Sequence, residues 1–391
     1  MSRLDSHLEV ALARIDRAGQ RRTLRATRLA PGGQVVREGR HLVDFSSNDY
    51  LGLARHPLLI ERATEWAQRD GAGSGASRLV TGTSEMQLAL EAKIAAFKNC
   101  EAALVFASGW QANAAVIPAL LAAMPGAAVF SDRLIHASMH AGLAMAGVRQ
   151  YRFRHNDLDH LAALLADKGA AAPARLILTE SVFSMDGDRV DLERLCTVAE
   201  RHDAALYLDE AHATGVLGPQ GRGLSALVPG RVDLIMGTFS KALGGFGAYV
   251  AGSRTAIDYL INAASGFVFT TAPPPAVLGA IDAALDLVPS LEAERAHLAA
   301  LGDQLRAGLA ALGLDHGASS TQIVPAMIGG EAEAMALSAR LEQAGFLASA
   351  IRPPTVPPGT SRLRIALRAS HATSDIDALL HAIEAAIGSA R

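Results

Sequence analysis

"VDLIMGTFSKALGG", Val232 to Gly245, sets a short apolar run directly ahead of Thr238, Ser240 and Lys241 and closes on a glycine pair. An apolar run this short, bounded by turn chemistry, reads as a strand buried on both faces. Its polar end matters because ligands of open α/β sheets gather outside the carboxyl ends of strands. A lysine desolvated there holds its proton less tightly, and its free amine is able to form a Schiff base. Gly244 and Gly245 leave room for another body to approach the backbone.

The same pattern repeats outward. "AALVFAS", "AAVFSD", "RQYRFRH", "ARLILTES", "AALYLDEAH" and "GAYVAGS" are short apolar runs separated by helix-period segments between about residues 100 and 255. That alternation predicts an α/β fold with a mostly parallel central sheet and helices on both faces. Helices are expected from Leu192 to His202, with Asp191 as the N-cap, and from Asp157 to Lys168. Beyond "TAPPP" the pattern changes to a long Ala/Leu/Glu helix reaching about Gly313, a strand in "QIVPAMIG", a helix from Glu331, a strand in "RLRIALRA" and a last helix from Asp375. The expected organisation is an N-terminal helix and arm over 1–45, a large domain over 46–285 and a smaller α+β domain over 286–391.

Composition narrows the function classes. The 391 residues are 50% hydrophobic and 19% charged with a formal net charge of −3, which argues against a nucleic-acid surface. Cys100 and Cys196 show no C-x-x-C spacing, so neither a disulfide framework nor a zinc ribbon is indicated and a reducing compartment, the cytoplasm, is expected. The opening residues read as an amphipathic helix rather than an export signal. The longest uncharged stretch, residues 114–130, is interrupted by Pro118, Pro125 and Gly126 and is too short for a membrane helix.

Several strand ends carry chemistry. Asp209 follows a strand so apolar that its carboxylate calls for a positive partner, and His212 stands three residues on. "SGWQAN", Ser108 to Asn113, ends a strand and opens a helix, where backbone N–H groups and the positive helix end suit a phosphate. His136 follows another apolar run, where its imidazole is able to stack on a flat ring. His140 four residues later raises a metal alternative, but no third ligand stands at a telling spacing. "LDEAH" also resembles the acidic box of nucleic-acid-dependent ATPases. The chain lacks the Gly-Lys dipeptide of the phosphate loop such enzymes need.

A phosphate cradle, a stacking histidine, a carboxylate for a ring nitrogen and a Schiff-base lysine together describe a pyridoxal phosphate site. Through "FSSNDYLGL", "GAGSGASRLVTGT", "ESVFSMDGD", "LDEAHATG", "TFSKALGG" and "RPPTVPPGTSRLRI" nearly the whole chain resembles the α-oxoamine synthases. The resemblance implies a pyridoxal phosphate-dependent, aminotransferase-like fold of type I. It implies that Lys241 holds the cofactor and acts as base, that Asp209 pairs with the ring nitrogen and that His136 stacks on the ring. Ser184 and His212 would bond around the phenolic oxygen, and Gly109, Trp110 and Thr238 would hold the phosphate. Arg352 and Thr355 would meet the substrate carboxylate, with Asn48 nearby. An arginine of the N-terminal arm would contact substrate, and "TLRATR" offers Arg25, with Arg21, Arg22 and Arg28 as competitors. Within the family, "SSNDYLGL" and "RPPTVP" resemble the branch joining L-alanine to a pimeloyl thioester, whereas "TFSK" is similar to the serine-using branch. The resemblance also implies a homodimer, with "SGFVFTTAPPP" reaching a partner's site, and leaves coenzyme A or an acyl carrier protein open as the carrier.

Overall fold

The computed structural model describes residues 2–388; Met1 and residues 389–391, the extremities of the first and last expected units, lie outside the described residues. The chain opens with α1 (Arg3–Arg17), started by a reciprocal capping box between Ser2 and Asp5. Three short strands follow, β1 (Arg28–Leu29), β2 (Gln34–Arg37) and β3 (Arg40–Asp44), and then α2 (Pro57–Asp70) and α3 (Glu85–Lys98).

The main sheet holds β4 (Ala102–Phe106), β5 (Ala128–Asp132), β6 (Gln150–Phe153), β7 (Arg175–Glu180), β8 (Ala205–Asp209), β9 (Leu234–Thr238) and β10 (Ala248–Gly252) in the order β4-β10-β9-β8-β7-β5-β6. Every pair from β6 across to β9 is parallel, whereas β10 is antiparallel to both of its neighbours. Residues 239–247 are too few for the crossover that a parallel return from β9 would need. Successive side chains alternate between two apolar layers: Ala103 and Val105 join one, Leu104 and Phe106 the other. Helices α4 (Gly109–Ala123), α5 (Ala137–Ala146) and α8 (Arg254–Ala263) fill the second layer, and α3, α6 (Leu158–Lys168) and α7 (Leu192–Arg201) fill the first. Asp157 and Asp191 cap α6 and α7 through the backbone N–H groups of His160 and Arg194.

After a single-turn α9 (Ser265–Val268), the long helix anticipated after "TAPPP" is two helices, α10 (Pro275–Leu287) and α11 (Glu292–Ala311), separated by a 3-10 turn at Val288–Ser290. Pro289 has no N–H to continue the ladder. The remaining elements are β11 (Ile323–Gly329), α12 (Glu331–Gln343), β12 (Phe346–Leu347), β13 (Ser349–Ile351), β14 (Ser361–Ala366) and α13 (Thr373–Gly388). Strands β11, β14 and β13 form an antiparallel sheet, and β12 pairs in parallel with β3, so both ends of the chain share the four-stranded sheet β1-β2-β3-β12. Among the described residues no helix is long and apolar enough to cross a membrane.

Candidate active site

The carboxyl ends of β7, β8 and β9 converge, since Glu180 is in register with Asp209 and Asp209 with Met236. Asp209 is buried, yet each of its oxygens has a donor: Asn113 Nδ2 lies 3.0 Å from Oδ2 and the Ala211 N–H 2.9 Å from Oδ1. Asn113 comes from α4 and is itself fixed by the hydroxyl of Tyr207 at 2.7 Å. It also donates to Ser138 Oγ at 2.9 Å, which in turn lies 2.7 Å from His136 Nδ1. One amide thereby ties the carboxylate of β8 to the histidine at the start of α5. Burial, and then repulsion by Asp209, raise the pKa of Glu180 beside them well above the usual carboxylate range.

Lys241 lies three residues past β9, with Nζ 2.8 Å from His212 Nε2. His212 Nδ1 lies 2.6 Å from the hydroxyl of the fully buried Tyr50, which donates to Asn48 Oδ1 at 3.1 Å. Burial, and after it the positive charges of Lys241 and Arg364, hold the His212 pKa well below its ordinary value, so the ring carries one proton. A single donor direction satisfies the whole chain: Lys241 donates to Nε2, Nδ1–H to Tyr50, and Tyr50 to Asn48. Gln322 Nε2 anchors the histidine from β11's edge by donating to its carbonyl at 2.9 Å. Burial lowers the pKa of Lys241 to about 8, with Asp209 and Glu180 opposing the fall and Arg364 adding to it. About a tenth of the amine is therefore free at pH 7, far more than for an ordinary lysine.

The start of α4 supplies an anion cradle. Ser108 caps it by accepting from the Gln111 N–H at 3.1 Å, while the N–H groups of Gly109 and Trp110 have no partner among the described residues. Thr238 Oγ1 donates to the Gly247 carbonyl at 2.8 Å and lies 2.7 Å from Ser240 Oγ. Trp110 stands edge-on to His136 with ring centroids 6.3 Å apart. Burial lowers the pKa of His136, Asp209 opposes, and Lys241 reinforces the fall, so this ring also presents a neutral face. Two unpartnered helix N–H groups, a flat neutral imidazole, a donor-held carboxylate and a desolvated amine fit a phosphate-bearing pyridine aldehyde, and pyridoxal phosphate is the cofactor they suit.

Arg364 is a residue of this cluster that the sequence did not single out. It is buried on β14, donates through Nε to the Ser184 carbonyl and through Nη2 to the Tyr50 hydroxyl at 3.4 Å, and acts electrostatically on Lys241 and His212. It forms no ion pair among the described residues, whereas its strand neighbour Arg362 is paired with Asp186. The signal was present: "RLRIALRA" places two arginines at i and i+2, on one face of a strand buried throughout.

Three expected contacts are not brought to this cluster. Arg352 donates instead to the carbonyls of Gly19 and Arg21, closing the end of α1 onto its proline loop. Thr355 is exposed and turns back to the Arg352 carbonyl at 3.1 Å. Arg25 is engaged by Glu342 at 2.7 Å and Glu38 at 3.1 Å, because the arm on which it lies packs along α12. Ser184 does lie at the site, half-buried, with its carbonyl on Arg364. His140 meets Gln150 at 3.3 Å, and no metal-binding group occurs among the described residues. The second carboxylate of "LDEAH", Glu210, is bound by Lys98 at 2.6 Å rather than left open to a metal ion.

Residues 40–383 match the family described as aminotransferase class I and II. Over 389 residues the chain is 60% identical to the 8-amino-7-oxononanoate synthase of Gluconacetobacter diazotrophicus, covering 98% of each. A solved serine palmitoyltransferase from S. paucimobilis with bound PLP–myriocin superposes with a TM-score of 0.91 at 28% identity, covering 100% of this chain and 99% of the other. The 8-amino-7-oxononanoate synthase of Francisella tularensis superposes with a TM-score of 0.77 at 26% identity, covering 89% and 98%.

Proposed function

We propose, from the premise that this chain belongs to the class I and II aminotransferases and within them to the α-oxoamine synthases, that it joins L-alanine to a pimeloyl thioester. The products are 8-amino-7-oxononanoate, carbon dioxide and the free thiol, in a step of biotin biosynthesis. The observation that carries the reading is the desolvated Lys241 amine held on His212 Nε2 in the field of Asp209. Bound there, pyridoxal phosphate supplies an electron sink for the carbanion at the α-carbon of alanine.

The chain's own residues do the rest. Lys241 holds the cofactor, takes the α-proton and returns one after carbon dioxide has left, a task suited to an amine with a pKa near 8. Asp209, fixed by Asn113 and the Ala211 N–H, presents its charge to the ring nitrogen, and His136 offers its flat face. His212 and Ser184 would flank the phenolic oxygen, and Gly109, Trp110 and Thr238 would hold the phosphate. Arg364, a buried guanidinium with no ion-pair partner among the described residues, receives the substrate carboxylate with Asn48 beside it, in the place first expected of Arg352 and Thr355. Leu79, Val80, Phe246 and Phe269 are exposed apolar side chains that support a homodimer. The carrier is coenzyme A or an acyl carrier protein, and the compartment is the cytoplasm.

The structural likeness to a serine palmitoyltransferase, together with "TFSK", keeps a serine-using reading as the competitor. The test sets alanine, glycine and serine against pimeloyl, acetyl, succinyl and palmitoyl thioesters, following thiol and carbon dioxide release. Alanine with the pimeloyl thioester is expected to be fastest. A faster serine or glycine reaction refutes the assignment.

A further inference from the structure

Away from Lys241, a second cluster of titratable groups joins three elements. His155, just past β6, places Nδ1 3.0 Å from Asp132 Oδ1 at the end of β5 and Nε2 2.8 Å from Asp188 Oδ2 in the segment after β7. Carboxylates accept and do not donate, so both ring nitrogens must carry protons, and the group is an imidazolium shared between two anions. Asn156 reinforces both ends: its N–H donates to Asp132 Oδ2 at 2.8 Å and its Nδ2 to Asp188 Oδ2 at 2.6 Å. Phe183 meets the ring edge-on at 4.4 Å.

Each carboxylate sits at the root of a loop that reaches the candidate site. Asp132 also accepts from the Leu134 N–H at 2.8 Å, shaping the turn that ends in His136. Asp188 lies in a hairpin closed by the Val182–Arg189 bridge and the Phe183 N–H to Asp188 carbonyl bond, and Ser184 lies at its tip, with its carbonyl on Arg364. A shift of one loop against the other would move His136 relative to Ser184 and Arg364.

We propose that His155, by bridging Asp132 and Asp188, is a positioning residue that joins the His136 loop to the Ser184 hairpin and sets the width of the site between them. The proposal rests on the reading of His136 and Ser184 as cofactor contacts. Burial opposes the charge on His155, but the hydrogen bonds to Asp132 and Asp188 outweigh it and raise the pKa to about 10. The charged groups hydrogen-bonded to the ring are those two aspartates.

His155 is 22% exposed and lines a cleft of about 670 Å³ with Asn156, Asp188, Leu224, Val228 and Ser320, so a small molecule has a route to its place. The experiment is chemical rescue of His155→Ala, read both as kcat/KM for alanine and as the dissociation constant for pyridoxal phosphate. Both are expected to worsen by about tenfold or more, the scale on which lost supporting hydrogen bonds act on a functional group. Imidazole, whose cation donates from two nitrogens, is expected to restore both below pH 7. 1-Methylimidazole fills the same space with a single N–H and is expected to fail.

Equal rescue by the two compounds, or an unchanged variant, overturns the proposal. If His155→Ala does not fold, NMR of the wild-type histidine rings decides. His155 is expected to stay doubly protonated from pH 6 to 9, and a ring that titrates near 6.5 overturns the proposal. Cofactor affinity and ring titration do not depend on which substrates react. A failure of the alanine and pimeloyl assignment is thereby distinguished from a failure of this one.

Discussion

Asp209 and Glu210 are neighbours in sequence, both buried, and differ in what holds them. Glu210 is closed into the framework: Lys98 Nζ lies at 2.6 Å, the Ser225 N–H at 2.9 Å and Ser225 Oγ at 2.6 Å, and neither side chain of the ion pair touches solvent. Asp209 is held only by uncharged donors, and the nearby cations Lys241 and Arg364 form no ion pair among the described residues. Burial of charge is unfavourable unless geometry compensates it. A charge that remains uncompensated in a well-packed interior marks the place where a ligand completes the set. The Arg78–Glu91 pair, bidentate at 2.8 and 2.9 Å and also buried, belongs with Glu210 on the structural side.

The contrast breaks most sharply at Lys241. Lys241→Met is expected to reduce kcat by about 10⁴-fold or more, since it removes both the cofactor's attachment and the base. The same variant is expected to be more stable than the wild type at pH 7. The folded pKa near 8 lies below the ordinary 10.5, so between those values the unfolded chain binds more protons and stability rises with pH. Removing the amine abolishes that rise and the penalty below it. Thermal unfolding of both proteins from pH 6 to 10.5 measures it; a destabilised variant with a normal pH slope would place Lys241 among the structural charges.

Lys98→Met gives the opposite signature. It leaves Glu210 buried without its cation and is expected to cost about 3–5 kcal/mol of stability, while the kcat of the remaining folded enzyme changes little. Adding Glu210→Gln is expected to recover much of that loss, as urea unfolding of single and double variants will measure.

Arg364→Met tests the remaining open charge. The expected outcome is a KM for alanine raised about 100-fold, the scale of a lost charged hydrogen-bonding partner, with stability held or improved. A variant that unfolds while KM stays constant would move Arg364 to the structural side.

Legibility in the sequence follows the same division. The strand ends at Glu180, Asp209 and Thr238 were readable because apolar runs stop at polar residues, and the capping Asp191 because its chemistry is local. Strand β10 could not be recognised as antiparallel from its own residues, since "GAYVAGS" is as apolar as its parallel neighbours. Tyr50, Asn113 and Gln322 were hidden for another reason. They lie 162, 96 and 110 residues from the groups they orient, and only folding brings them there. Arg352 was expected through the family resemblance alone, and Arg364 was not singled out, because its want of an ion-pair partner among the described residues exists only in three dimensions.

The smallest effect is expected at Arg25, and it bears on the comparison from the side of the surface. Its exposed guanidinium meets Glu38, which is open to solvent, and Glu342, which is half-buried, and ion pairs this near the surface contribute little once screening and side-chain entropy are counted. Arg25→Ala is accordingly expected to change KM for the pimeloyl thioester by less than about twofold and to leave the unfolding midpoint where it was. A large rise in KM with no change for alanine would mean that the arm leaves Glu342 to meet the acyl substrate. Arg25 would then be an open charge concealed by a half-buried partner. Steady-state kinetics with each substrate varied in turn separates the two cases.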